Sequence, residues 1–139
     1  MIKLPAMDFP VEKMINTARA AKEAAYAPYS GLRVGAALLT AQGRLFKGCN
    51  IENASYGLTV CAERVAFYKA FSEGERQFAA MAVISDLEGF CSPCGACRQV
   101  LSEFGSDLKI YICSKNGDYI VKTVGKLLPE PFIFQPPSK

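Results

Sequence analysis

Residues 78–85, FAAMAVIS, form an apolar run with no charged side chain at any position. A strand with one wet face alternates polar and apolar residues, so this run reads as a strand buried in a sheet. A helical segment at 93–104 follows, in which Ser92 reads as N-cap, Pro93 as first helical residue and Gly105 as stop. A second apolar run, 108–113, comes next. Strand, helix, strand in that order makes a parallel, right-handed unit, and it commits the chain to a layered α/β architecture.

The remaining elements fit around that unit. Apolar residues at Val11, Met14, Ile15, Ala18, Ala21 and Ala25 mark an amphipathic helix over 11–25, ended by the run Ala27-Pro28-Tyr29-Ser30-Gly31. Segments 34–40 and 44–50 are joined by Ala41-Gln42-Gly43, a link short enough only for an antiparallel hairpin. A helix spans 61–72, with Gly74 as breaker. Asn116-Gly117 makes a hairpin of 108–113 and 119–124, so the last strand must run antiparallel to its predecessor. The order α β β α β α β β gives a five-stranded mixed sheet. With 139 residues and no repeat or linker, the chain is one domain over 1–139, with a proline-containing tail from 129.

Composition excludes whole classes of chemistry. There is no histidine, which removes Ser-His-Asp and Cys-His nucleophiles, H-E-x-x-H metalloproteases and Cys₂His₂ fingers, so any metal must sit on cysteines or carboxylates. A net charge of +3 is too small for a protein that grips a polynucleotide backbone. The expectations are a small, neutral ligand, no nucleic acid and no membrane, since no stretch approaches the ~18 apolar residues of a span. Residues 1–10 carry no signal-like apolar run, so the six cysteines are expected to be reduced thiols of a cytoplasmic protein. Counted with glycine, the apolar fraction lies slightly above the usual ~45–50%, which leaves surface to bury against other subunits.

Two of those thiols, Cys94 and Cys97, stand three apart at a helix start, which puts both on one face. Helix N-termini favour the thiolate, the form that binds metal. Cys61 also opens a helix and can complete a set of three if both helices follow neighbouring strands. Three protein ligands leave a fourth tetrahedral position open, the arrangement of a catalytic zinc. Glu63 lies in the first turn after Cys61, where its carboxyl can share the space ahead of the helix and shuttle protons. A lone C-x-x-C is more often a structural zinc or a redox pair than a hydrolytic site. The C-x₂-C-x₂-C of Cys91, Cys94 and Cys97 lacks the x₃-C-P of a ferredoxin, since Leu101 and Ser102 follow. Cys49 and Cys113 read as small buried hydrophobes and Cys91 as a loop thiol.

Cys61-Ala62-Glu63-Arg64 together with Pro93-Cys94-Gly95-Ala96-Cys97-Arg98-Gln99 resembles the small, homotetrameric class of cytidine deaminases. The segments Tyr26–Ser30, Val34–Leu38 and Gly48–Tyr56 support the resemblance, which runs from about Ala18 to Phe132. It implies the three-layer α/β/α fold of that family and one Zn²⁺ per subunit on Cys61, Cys94 and Cys97. The reaction it implies is hydrolytic deamination of cytidine and 2′-deoxycytidine in pyrimidine salvage, with Glu63 moving protons between water, ring N3 and the leaving amine. By the same resemblance Asn50 and Glu52 bind the ribose hydroxyls, and the backbones of Ala54 and Ala62 meet the base edge. Phe132, with Phe134 as substitute, stacks on the base of a neighbouring subunit, so that residues 129–139 lie at an interface of a homotetramer with shared sites. Leu32 stands where many relatives carry phenylalanine in the wall of the base pocket, which affects affinity rather than reaction class.

Three thiolates on Zn²⁺ leave a net negative centre, so a positive group must draw off electron density, and Arg64 is the candidate. As an ordinary helix residue it would simply be solvated. The rival readings are a deaminase of another aminopyrimidine, which the Asn50/Glu52 pair opposes, and a tRNA or DNA deaminase. The latter branch carries a crossover helix before its fifth strand, for which Asn116-Gly117 leaves no room. From a different class comes a structural zinc module without catalysis. Because the Glu52 carboxylate repels a nearby phosphate, cytidine should be deaminated far more efficiently than CMP; equal kcat/KM for the two in a side-by-side assay would contradict the assignment.

Overall fold

The computed structural model describes residues 9–137. The reading of residues 1–10 as free of an export signal lies, for its first eight residues, outside that range, as do the last two residues of the tail. The helices are α1 (Val11–Lys22), α2 (Ala62–Ser72), α3 (Gly95–Ser102) and the four-residue α4 (Val124–Leu127). The strands are β1 (Val34–Thr40), β2 (Leu45–Cys49), β3 (Phe78–Ser85), β4 (Lys109–Cys113) and β5 (Tyr119–Thr123), in the spatial order β2-β1-β3-β4-β5. Only β3 and β4 are parallel; every other neighbouring pair is antiparallel. This is the five-stranded mixed sheet expected from the chain order, with the last strand reversed.

The unbroken apolar run of β3 is explained by its position in the middle of the sheet with helices on both sides. Ala80, Ala82 and Ile84 face α1, where they pack with Met14, Ile15, Ala18, Ala37 and Leu39. Met81 and Val83 face the other layer, formed with Ala62, Ala66, Phe67, Leu101, Ile110 and Ile112. Each fully buried branched side chain of this kind contributes about 1.5–3 kcal/mol to folding. Lys22, at the end of α1, is held at the rim by an ion pair of 2.7 Å with Asp86, which also receives Arg33 Nε at 2.9 Å.

Both hairpins close in the same way. Gly43 N donates to Thr40 O at 3.0 Å and Gly117 N to Ser114 O at 2.9 Å. Gly117 has φ +94°, while among the described residues no residue other than glycine has positive φ, so Asn116 does not adopt a left-handed conformation. The link is therefore a three-residue loop ending in glycine rather than a two-residue Asn-Gly turn. Helix boundaries shift for local reasons. α1 stops at Lys22 rather than Ala25, and α3 starts at Gly95 with Cys94 as N-cap. Ser92 is not the cap: its hydroxyl accepts from Arg98 Nη2 at 2.9 Å, and Pro93 lies in the extended approach to the helix. At the other end Thr123 Oγ1 accepts from Lys126 N at 3.2 Å and starts α4 where a strand was expected to continue, sending Val124 into the core.

Two glycines bring the helices onto the sheet. A Cβ on Gly35 would lie 2.0 Å from Ala18 O on α1, and one on Gly48 would lie 2.3 Å from Ala62 O on α2. Contacts that short cannot be relieved by a side-chain rotation, because the obstacle is backbone. Replacing Gly48 by Ala should lower stability by at least ~1–3 kcal/mol in a urea melt and weaken zinc binding as α2 is displaced; an unchanged midpoint would show that the close approach is not a constraint.

Candidate metal centre

β1 is antiparallel to both β2 and β3, so these two strands run the same way and leave the sheet at the same end. The sequence predicts these two strands as neighbours; instead β1 lies between them. The connection after β2 spans the gap. Ile51 forms an antiparallel bridge with Val60 and a parallel one with Tyr26, which pins the segment down. Across the Ile51–Val60 bridge the register sets Asn50 beside Cys61 on one side and Glu52 beside Thr59 on the other.

Cys61 and Cys94 occupy equivalent places, each the N-cap of its helix, with φ/ψ of −71/155° and −70/169°. Neither side chain caps its own helix. Both sulfurs are turned toward each other instead, 3.8 Å apart, and Cys97, one turn into α3, lies 3.5 Å from Cys94. All three Sγ atoms are within 4.8 Å of one another. Tetrahedral zinc with Zn–S bonds of about 2.3 Å holds sulfurs about 3.8 Å apart, so the trio fits that ion in donor type and spacing. Among the described residues it is the group of three or more potential ligands close enough to share a metal.

The surroundings favour negative charge on sulfur. Arg64 occupies the same position relative to Cys61 that Cys97 occupies relative to Cys94, and its Nη2 donates to Cys61 Sγ at 3.4 Å. The Cys61 thiol is pulled down to about 5, first by the hydrogen bond from Cys97 and further by Arg64. Cys97 is displaced upward, first because it donates that hydrogen bond and second by burial. Arg64 is held more firmly in its charged form, chiefly by its bond to Cys61. Glu63, only 4% exposed, is pushed up to about 7, mainly by burial. A carboxyl with that affinity can both take and give a proton near neutrality. Cys91 stays outside the trio; its backbone N donates to Cys113 O at 3.1 Å, and burial raises its thiol. Cys113 is fully buried, whereas Cys49 is only half-buried.

Of the other residues singled out from sequence for the substrate, Glu52 lines a cavity. Asn50 is buried, with Oδ1 accepting from Val34 N and Nδ2 donating to Leu32 O, both at 2.8 Å, so its amide ties the β2 exit to the approach of β1. Leu32 is half-buried beside it. Glu52 Oε1 accepts from Tyr29 N at 3.0 Å and Ser30 N at 3.1 Å, and Oε2 accepts from the Ser30 hydroxyl. These bonds, the hydroxyl's first, hold its carboxyl below its ordinary value. Glu52 lines a cavity of about 190 Å³ with Tyr29, Ser30, Tyr56 and Thr59. Ala62 is buried at the first position of α2, and Ala54 is exposed in the intervening loop. Phe132 is 73% exposed on the C-terminal tail and Phe134 is equally open. The roles of Tyr29 and Ser30 in holding Glu52 were not legible in the sequence; the only signal was the turn-forming Tyr-Ser-Gly run preceding β1.

The geometry agrees with what known proteins show. The family described as "Cytidine and deoxycytidylate deaminase zinc-binding region" matches residues 10–114. A cytidine deaminase of Sporosarcina psychrophila is 53% identical over 123 residues, 88% of this chain and 90% of that one. A probable cytidine deaminase of Dictyostelium discoideum is 48% identical over 120 residues, covering 86% and 81%. Among solved structures, cytidine deaminase from Burkholderia pseudomallei superposes with a TM-score of 0.84 at 50% identity, covering 87% of this chain and 98% of that one. The Mycobacterium tuberculosis cytidine deaminase does so with 0.80 at 39% identity, covering 91% and 100%.

Zinc added to metal-free protein should saturate at about one equivalent per chain and shield the Cys61, Cys94 and Cys97 thiols from alkylation. Cys97→Ser should abolish stoichiometric retention after dialysis against a chelator; retention equal to the unsubstituted protein would remove Cys97 from the ligand set.

Proposed function

The chain belongs to the cytidine and deoxycytidylate deaminase family, and from that premise we propose that it hydrolyses cytidine, and also 2′-deoxycytidine, to the corresponding uridine and ammonia in pyrimidine salvage. The observation that carries the reading is the convergence of three helix-borne thiols around one end of the sheet with a buried carboxyl in the first turn beside them. A structural zinc module has no use for such a carboxyl.

Cys61, Cys94 and Cys97 would hold the zinc, which would supply the Lewis acidity that makes water a nucleophile at neutral pH. Glu63 accepts the proton of that water, passes it to ring N3 as C4 is attacked, and protonates the 4-amino group so that it departs as ammonia. Water's oxygen remains on C4, and the sum is one cytidine and one water to one uridine and one ammonia. Arg64, already bonded to Cys61 Sγ, withdraws electron density from sulfur and counters the charge of three thiolates. The starts of α2 and α3, pointing their N–H groups toward the same space, act in the same sense.

Asn50 and Glu52 are the ribose-binding pair of this reading. Glu52 is preset for it, because Ser30 and Tyr29 hold its carboxylate charged and fixed in orientation. Asn50 is committed on two of its polar atoms to the backbone of Leu32 and Val34, so it presents its remaining hydrogen-bonding capacity from a rigid mount. Backbone groups of Ala54 and Ala62 meet the base edge, and Leu32 walls the base pocket. The cavity beside Glu52, about 190 Å³, is smaller than the ~300 Å³ at which ligand pockets begin, which supports a site completed by another copy in a homotetramer. Phe132 from that copy stacks on the base. The workplace of such an enzyme is the cytoplasm, and among the described residues no helix is long and apolar enough to cross a membrane.

Glu63→Gln keeps the size and hydrogen-bonding shape of the side chain but cannot move protons. Ultraviolet assays should show turnover of cytidine reduced by at least ~10²-fold with zinc content unchanged. Full activity in that variant would end the reading of Glu63 as the proton carrier.

A further inference from the structure

Residues 129–137 form no helix or strand. Among the described residues, their hydrogen bonds are two, and both go to one side chain. Gln99 Oε1 accepts from Phe132 N at 3.0 Å, and Gln99 Nε2 donates to Phe132 O at 2.9 Å. A primary amide can pair with both backbone groups of one residue in this way because it carries donor and acceptor side by side. The neighbouring Arg98 holds the end of α4 just before this segment, donating to Leu127 O at 2.7 Å and to Pro93 O at 2.8 Å. Two adjacent residues of α3 thus fasten the chain at Leu127 and at Phe132. Between the two fastenings, Pro129 and Pro131 restrict the backbone further.

The consequence is geometric. Gln99 lies two residues beyond Cys97 on the helix that carries two of the three thiols, so the position of Phe132 is tied to the metal centre's own scaffold. The ring itself is not consumed by this attachment: it projects with 73% of the residue exposed, beside Ile133 and Phe134, which are comparably open. Phe134 has no such backbone anchor among the described residues.

We infer that Gln99 is a positioning residue, clamping the backbone of Phe132 to α3 so that this ring, and not that of Phe134, is presented in a fixed place to the nucleoside bound in a second copy of the chain. The inference rests on the reading of Phe132 as the base-stacking residue. Both polar atoms of the Gln99 amide are engaged by Phe132 and Gln99 is not one of the clustered metal-ligating groups, so on this reading its removal acts on binding rather than on chemistry.

The test uses Gln99→Met, which keeps side-chain length and removes both hydrogen bonds, alone and combined with Phe132→Ala or Phe134→Ala. Each is assayed for KM and kcat with cytidine, for bound zinc, and for hydrogen exchange at the Phe132 amide. Gln99→Met should raise KM about tenfold, the effect of two modest hydrogen bonds, with kcat within about twofold and zinc retained. Exchange at the Phe132 amide should accelerate. In the Phe132→Ala background the same change should raise KM no further, whereas in the Phe134→Ala background its full effect should remain. Unchanged KM or unchanged exchange, or a full effect that persists without the Phe132 ring, would overturn the inference. Should Gln99→Met not fold, Gln99→Glu, which keeps the acceptor and loses the donor, carries the same comparison. If the unsubstituted protein fails to deaminate cytidine, the proposed function falls and the stacking role with it, while a protected Phe132 amide that Gln99→Met exposes would still establish the clamp.

Discussion

The site depends on a contact that contains no functional group. Ala62 O of α2 sits where a Cβ on Gly48 would have to be. Ala62 lies between Cys61 and Glu63, so the depth to which α2 settles onto β2 sets the height of both side chains above the end of the sheet. A bulkier residue at 48 would lift the helix start and carry the first thiol and the carboxyl away from Cys94 and Cys97 together. On the opposite face Gly35 does the same for α1, with Ala18 O filling the missing side chain's place. The sheet is thus thinned at two adjoining points of the β1–β2 hairpin, and the helices close on it from both sides.

Once the helices are seated, the chemistry follows from their ends. A helix start gathers unpaired N–H groups and favours negative charge. Two such starts, each with a cysteine in the N-cap place but not capping, turn toward one another and leave the sulfurs free for a metal. The chain has no histidine, the three clustered ligand atoms are all sulfurs, and Arg64, one turn into α2, donates to Cys61 Sγ. Glu63 completes the set from the buried side, where lack of water makes its proton affinity near neutral rather than acidic.

The region expected to hold the sugar works by a different logic. Asn50 and Glu52 flank the Ile51–Val60 bridge, and each is gripped by backbone groups from the 29–34 segment that leads into β1. Polar side chains bonded in this manner hold loops in register, and the same bonds fix the orientation of the carboxylate and the amide. The C-terminal segment is handled similarly, with Arg98 and Gln99 binding backbone atoms of Leu127 and Phe132 and leaving the aromatic ring outside.

Sequence alone determined what depends on neighbours along the chain. The doubly buried strand at 78–85, the two short hairpin links, the helix-opening cysteines with their three-residue spacing and the antiparallel last strand are local patterns, and local pattern suffices for them. The thiol trio with Glu63 was legible because both its halves lie at helix starts, where position along the sequence nearly dictates direction in space. Tertiary structure decided the rest: that β1 separates the strands preceding α2 and α3, that Thr123 turns the chain into α4, that Cys94 rather than Ser92 caps α3, and that Ser30 and Gln99 hold Glu52 and Phe132. The starts of α3 and α4 are settled by short-range bonds, Arg98 to Ser92 and Lys126 to Thr123, that compete with equally local alternatives. The strand order and the grips of Ser30 and Gln99 are settled by contacts between residues far apart in the chain, and one-dimensional periodicity carries no information about which distant backbone group a given side chain will meet.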